Sequence, residues 1–382
     1  MTNSKKVTLP KVEFDSNLTG LIVELERVRE KYNRGTTPAS LFFELKDMFQ
    51  LFTSIISARI EGNHTTVIDV LDALNEASDS GIAIPDSVQE IENIQKGIDF
   101  IEAHIHSMPI DKEFILQLHR IVVEGLVREG DLRAGAYRVT PITISRSKHI
   151  PPMPSDVDEH MEELIAFINQ NHGTQYDLLK DAIVHHRFVW IHPFGNGNGR
   201  VARLLTYAMM TKQGFIDSTG IRTLNPTAVF GSNREEFYDY LQKADSLKDS
   251  DVLEWSEYML GGVQADLISV GKLQDADFVR TKIVLPALKA AHEAGRITDQ
   301  QHQMLVIIAR SDTVKAADFS KIISGSHVLR SQAIKKLRDA RLIRTKPGSD
   351  RLYTLRLSPN VITRYIRKQL DDNGLLPTAL KD

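Results

Sequence analysis

Residues 192 to 203 concentrate the reactive side chains of this sequence: His192-Pro193-Phe194-Gly195-Asn196-Gly197-Asn198-Gly199-Arg200-Val201-Ala202-Arg203. Histidine is the side chain best suited to accept a proton near neutral pH. Two arginines three positions apart share one side of a helix, and guanidiniums hold phosphate oxygens bidentately. The glycines and asparagines between them disfavour helix and form a loop. Helical periodicity enters that loop from Leu178 to Ile191 and leaves it from Val201 to Met210. The loop therefore feeds a helix N-terminus, where free N–H groups and the helix dipole attract an anion. A segment of this kind can cradle a polyphosphate beside a base. It differs from the common phosphate loop, whose Gly-x-x-x-x-Gly-Lys-Ser/Thr pattern is missing from the sequence.

The string resembles the signature of the Fic family, His-Pro-Phe-x-(Asp/Glu)-Gly-Asn-Gly-Arg-x-x-Arg, whose best-known members transfer AMP from ATP to protein hydroxyls. Eleven of twelve positions fit, three of them unspecified in the pattern, and the family's acidic residue is Asn196 here. The resemblance implies a mainly α fold, a helical-bundle core with a short β-hairpin flap. It implies His192 as the base for a Ser, Thr or Tyr hydroxyl of a target protein, with ATP as substrate. Gly195, Asn196, Gly197, Asn198, Gly199, Arg200 and Arg203 would meet the phosphates. Asn198 is expected at the α-phosphate, Arg200 at the β and Arg203 at the γ. Tyr238 and Tyr240 fall where the family lines its adenine pocket. The family's acidic side chain ligates Mg²⁺; Asn196 offers a neutral carbonyl oxygen to Mg²⁺ or Mn²⁺.

Two further segments extend the resemblance. Ser57 and Glu61 lie one turn apart on a helical face, and Gly62 stands where that helix would end. A carboxylate at a helix C-terminus opposes the dipole, so a cationic partner would compensate. The spacing is similar to the family's inhibitory motif, (Ser/Thr)-x-x-x-Glu-(Gly/Asn), whose glutamate pairs with the second signature arginine, Arg203 in this chain. From Tyr137 to Pro152, the β-branched alternation around Ile142 and Ile144, a polar turn at Ser145 to Lys148 and Ile150 predict a hairpin. An isolated hairpin is marginal and must lean on something. It resembles the family's flap, which would dock a target strand along Thr140, Pro141, Ile142, Thr143 and Ile144.

The remaining sequence must position these groups. Amphipathic helices are predicted over Val23–Tyr32, Pro38–Ile60, Thr65–Ala77, Val88–His106, Lys112–Glu124, Ser155–Gln170, Tyr176–Ile191 and Arg234–Ala244, with a long pattern from Val252 to about Glu293. A domain order of 1–110 (helices with the inhibitory motif), 111–265 (core), 266–296 (linker) and 297–382 follows. From 297 to 357, twelve basic residues face five acidic ones, a net of +7 in a chain whose net charge is −3. Three predicted helices and a hairpin in that region resemble a winged helix-turn-helix, with Arg330, Lys335, Lys336 and Arg338 on its recognition helix. Arg344, Lys346 and Arg351 would sit on the wing. DNA and a protein both remain open as partners of 297–357, and a homo-oligomer is open as well.

The chain has 382 residues, 42% hydrophobic and 25% charged, and no cysteine, so disulfides, thiolate metal sites and a cysteine nucleophile are excluded. With no apolar run near the ~18–20 residues of a membrane span and a polar start, a cytoplasmic protein without membrane contact is expected. The reading is a self-inhibited protein adenylyltransferase. The alternatives are a nucleotide-sensing, DNA-binding transcription regulator with a weak or inactive core, and a related enzyme that removes AMP or transfers another phosphate group.

Overall fold

The computed structural model describes residues 6–31, 35–144, 147–215, 233–376 and 380. The described residues fall into two compact units, one within 1–31 and 51–267, the other within 32–50 and 268–381.

The first unit is helical. It contains α1 (Asn17–Lys31), the second half of α2 (Ala39–Ile60), α3 (Val67–Ser80), α4 (Asp86–His104), α5 (Lys112–Val123), α6 (Val157–Asn169), α7 (Asp177–Ile191), α8 (Asn198–Lys212), α9 (Arg234–Ala244) and most of α10 (Asp249–Gly271). Helices α7 and α8 lie against each other, with α4 and α5 on α8 and α6 on α7. Both central helices are buried on nearly every face, which a helix tolerates only inside a bundle. Trp255 of α10 is fully buried and donates its indole N–H to Ala182 O of α7 at 2.8 Å. Local signals set the ends: Thr66 and Asp69 form a capping box on α3, and Asp111 caps α5, as expected for short acceptors preceding an apolar run.

Two expectations change here. The long pattern after Val252 is not one helix: it breaks at Lys272–Gln274, and Asp275 accepts from the N–H groups of Asp277 and Phe278 to start a new one. Residues 141–144 and 147–150 form no β-ladder, so the predicted hairpin is an irregular segment among the described residues; Ser145 and Arg146 of its turn lie outside them. A side chain does the work of the missing pairing. Arg138 donates Nη2 to Pro152 O at 2.6 Å, Nε to His192 O at 2.8 Å and Nη1 to Thr140 O at 3.3 Å, tying both ends of the segment to the loop after α7.

The second unit holds the first half of α2, a π-helical stretch Val279–Val284, then α11 (Leu285–Glu293), α12 (Asp299–Ser311), a 3₁₀ segment Ala316–Lys321, α13 (His327–Asp339), strands β1 (Ile343–Thr345) and β2 (Tyr353–Leu355), and α14 (Thr363–Asp372). The strands pair antiparallel with Arg344 opposite Thr354, and Val314 bridges to Tyr353 on the other side. On α13, Lys335, Lys336 and Arg338 are exposed. Arg344 is not a free wing charge: its Nε lies 3.0 Å from Oε1 of buried Glu44, which also accepts the Leu357 N–H at 2.7 Å. Burial pushes the Glu44 carboxyl up, against that backbone bond and the Arg344 charge.

Candidate functional site

The site is built on the link from α7 to α8. Helix α7 ends when His192 turns left-handed, with φ 53° and ψ 61°, while its N–H still closes the last turn onto Phe188 O. Phe194 then plunges into the core, stacked on His119 with ring centroids 3.7 Å apart. Asn198 closes the loop from within. Its Oδ1 accepts the Phe194 N–H and its Nδ2 donates to Phe194 O, both at 2.9 Å. This side chain is spent on the loop itself, where the sequence reading aimed its amide at a phosphate. Gly197 caps α8 at φ 76°, a conformation with a steric penalty for other residues.

His192 lines a cavity of about 510 Å³ with Glu61, Arg203, Thr143, Ile144 and Tyr238. Its Nδ1 lies 3.0 Å from Val189 O, which holds the proton on that nitrogen and leaves the Nε2 lone pair free. Burial lowers its pKa to about 4, against the Val189 bond and the negative charge of Glu61, so the ring is neutral at physiological pH. Tyr240 does not reach this cavity; it stacks on Tyr258 at 4.4 Å. Tyr238 does, with Arg234 over its ring at 5.7 Å.

The Arg203 guanidinium is almost wholly enclosed. Nη2 donates to Glu61 Oε1 at 2.7 Å and to Ser57 O at 3.0 Å, and Nε donates to Ser57 Oγ at 2.8 Å. Burial pushes the Glu61 carboxyl up, but the charge and hydrogen bond of Arg203, with the charge of Arg200 behind them, outweigh it and hold it below the usual carboxylate range. A Cβ at Gly199 would stand 2.1 Å from Glu61 Oε1. The carboxylate thus lies against the first turn of α8, where the dipole favours an anion. Gly62, just beyond, takes φ 99° and ends the turn.

Arg200 also lines this cavity, but its guanidinium is bound to carboxylates and carbonyls. Its side chain is fully buried, with Nη1 3.2 Å from Glu90 Oε1, and Nη2 donates to Glu129 O at 2.9 Å. It anchors the floor of the loop. Burial raises the Glu90 carboxyl, with Arg200 pulling it down. Asn196 is equally engaged: Oδ1 accepts the Gly197 N–H at 2.7 Å and Arg200 Nη2 at 3.4 Å, and Nδ2 donates to Glu129 Oε2 at 3.3 Å. A carbonyl facing a guanidinium and an N–H does not fit a cation, so the metal ligand implied at this position is not offered. Gly195 is exposed and lines the same cavity. In the irregular segment, Thr140, Pro141 and Thr143 are exposed, and Ile142 and Ile144 are half-buried.

Of the supporting residues, Arg138 falls in the stretch that resembles the family's flap region, whereas Glu90, Glu129 and Asp131 carry no motif. Glu90 left a signal, an acid on the face of α4 that also carries Val88, Ile91 and Ile94. The others sit in loops without periodicity.

Residues 109–210 match the model of the Fic/DOC family. "Protein adenylyltransferase Fic" of Nematostella vectensis is 30% identical over 196 residues, which cover 50% of this chain and 42% of that protein. The protein of the same name from Drosophila melanogaster is 27% identical over 191 residues, covering 50% and 36%. The chain therefore spans less than half the length of these curated relatives. Among solved structures, a Fic family protein from Desulfovibrio desulfuricans G20 superposes with a TM-score of 0.57 at 20% identity, over 91% of this chain and 98% of that one. Fic-1 from C. elegans gives 0.53 at 21% identity, over 68% and 74%. At such identities the structures share a fold. Among the described residues, no helix is long and apolar enough to cross a membrane.

Proposed function

We propose that this chain, a Fic domain protein, is a protein adenylyltransferase held in an off state by Glu61. The observation that carries the reading is the Glu61–Arg203 pair, at 2.7 Å, laid across the N-terminus of α8 in the cavity that contains His192. An anionic side chain there stands where the terminal phosphate of ATP would go, and it occupies the arginine that would hold that phosphate.

With Glu61 withdrawn, Arg203 and the first turn of α8 present positive charge to the β- and γ-phosphates. A target segment docks along Thr143 and Ile144 and brings a hydroxyl beside His192. Nε2 of His192 accepts the hydroxyl proton as the oxygen attacks the α-phosphorus. The bond to the β-phosphate oxygen breaks, diphosphate leaves, and AMP remains on the target. Positioning and charge stabilisation are the main contributions a protein can make to such a transfer. Because Asn196 offers no ligand, no step is assigned to a cation.

The test is transfer of label from α-³²P-ATP to protein by the wild type, Glu61→Gly, and Glu61→Gly with His192→Ala. The reading requires transfer by the second and none by the third. Equal labelling by the second and third removes His192 from the chemistry.

A second activity is favoured by the order of elements from α12 to β2, with exposed Lys335, Lys336 and Arg338 on α13. This order supports a winged helix-turn-helix that places α13 in a DNA groove. Binding to duplex DNA should weaken steeply with salt. Binding that survives Lys335→Glu with Lys336→Glu would remove α13 as the contact.

A further inference from the structure

Where α11 ends and α12 begins, three potential metal ligands converge away from the Fic site. His292 lies in the last turn of α11, while Asp299 and His302 stand three residues apart in α12 and so share a face. The two imidazoles stack nearly parallel, with centroids 4.9 Å apart and planes 6° from each other. His292 Nε2 is 3.8 Å from Asp299 Oδ1, and one donor atom from each of the three residues lies within 4.8 Å of the others.

The turn joining the helices is firmly built. Gly295 is left-handed at φ 66°, the Arg296 N–H returns to Ala291 O at 2.9 Å, and Thr298 and Gln301 cap α12 reciprocally. Ile297 is buried beneath it. Its carbonyl lies 3.3 Å from His292 Nδ1. That contact holds a proton on Nδ1 and frees the Nε2 lone pair, which faces Asp299. A backbone carbonyl on the remote nitrogen is the usual support of a metal-bound histidine. Among the described residues, the His302 imidazole makes no hydrogen bond, so its donor capacity is unspent.

We propose that His292, Asp299 and His302 bind a divalent transition-metal ion of the Zn²⁺ class, clasping α11 to α12. Two imidazoles and one carboxylate suit zinc and its neighbours, whereas Mg²⁺ and Ca²⁺ call for oxygen donors alone. Zinc bonds of about 2.0–2.1 Å at tetrahedral angles set donor separations near 3.4 Å. The His292–Asp299 pair must close by a few tenths of an ångström. His302 reaches the ion by side-chain rotation, which its partial exposure permits. Water fills the remaining coordination.

The test is calorimetric titration of the untagged full chain with ZnCl₂, paired with the visible spectrum of the Co²⁺ form and with Mg²⁺ as control. One equivalent of Zn²⁺ should bind and raise the thermal midpoint, and Mg²⁺ should do neither. His302→Ala and Asp299→Ala should each weaken binding at least ~10-fold and remove the Co²⁺ bands while keeping the wild-type circular dichroism. The Asp299 side chain is 70% exposed, so its variant decides the matter even if loss of His302 disturbs folding. The chain has 13 histidines; equal affinity in wild type and variants would place the ion elsewhere and overturn the assignment. A wild type that binds no equivalent overturns it too.

Discussion

Replacing Glu61 by glycine isolates the proposed brake, because most of its surroundings should survive. Arg203 keeps both bonds to Ser57, at 2.8 and 3.0 Å, and loses only the 2.7 Å bond to the carboxylate. The Arg203 side chain is 3% exposed and that of Glu61 29%, so water screens the pair only partly. A charge-assisted hydrogen bond of this kind contributes about 2–3 kcal/mol. If that energy separates the closed from the nucleotide-accepting arrangement, its loss raises the competent population about 30- to 140-fold, at 1.4 kcal/mol per tenfold. Initial rates of AMP transfer from α-labelled ATP should rise by that factor. Glu61→Gln, which keeps an acceptor without the charge, should fall between. The depressed Glu61 pKa adds a condition: the carboxylate stays charged above its ordinary value near 4.5 and loses its partner only as pH falls through the lower folded value. Wild type should therefore stay inhibited from pH 6 to 8. A folded Glu61→Gly protein that transfers AMP at the wild-type rate would refute the reasoning.

Three other perturbations have defined outcomes. Glu90→Ala removes the nearer of two carboxylates beside the buried Arg200 guanidinium, Glu129 Oε2 remaining at 3.6 Å, a change costing about 3 kcal/mol; thermal unfolding should drop by at least ~6 °C, and a shift under 2 °C would contradict the pairing. Asn196→Asp sets a carboxylate between Glu129, now 3.3 Å from the amide nitrogen, and Arg200, 3.4 Å from the amide oxygen; the opposed effects should leave stability within about 1 kcal/mol of wild type, and a larger change in the urea midpoint would contradict this. Burial holds His119 and His192 near pKa 4 and His185 near 3, all below the ordinary 6.5. Above that value neither folded nor unfolded chain takes up these protons, but below it only the unfolded chain does, so stability should fall from about pH 6.5 toward 4 by up to about 4 kcal/mol per pH unit. Urea midpoints equal at pH 7 and 5 would contradict this.

The helices around the site were legible because burial on one face imposes a period, and α7 and α8 announce themselves by interrupting it with glycine. His192, Arg203 and Glu61 were placed by motif, and the structure brings them into one cavity. Arg200 and Asn198 line that cavity too, but the partners their side chains take were not readable, since a signature does not say whether a polar group faces ligand or loop. Glu90 decides that for Arg200, from more than a hundred residues away in sequence. The flap misled for a different reason. Alternating β-branched residues predict strand, but strand pairing needs a partner, and Arg138 secures the segment without one.

The left-handed turn at His192 has an energetic consequence. Glycine fits that position freely, whereas a residue with a Cβ is strained there by roughly 1–2 kcal/mol. His192→Gly should therefore make the domain silent yet no less robust. The imidazole in the cavity is thus held at a cost in backbone strain.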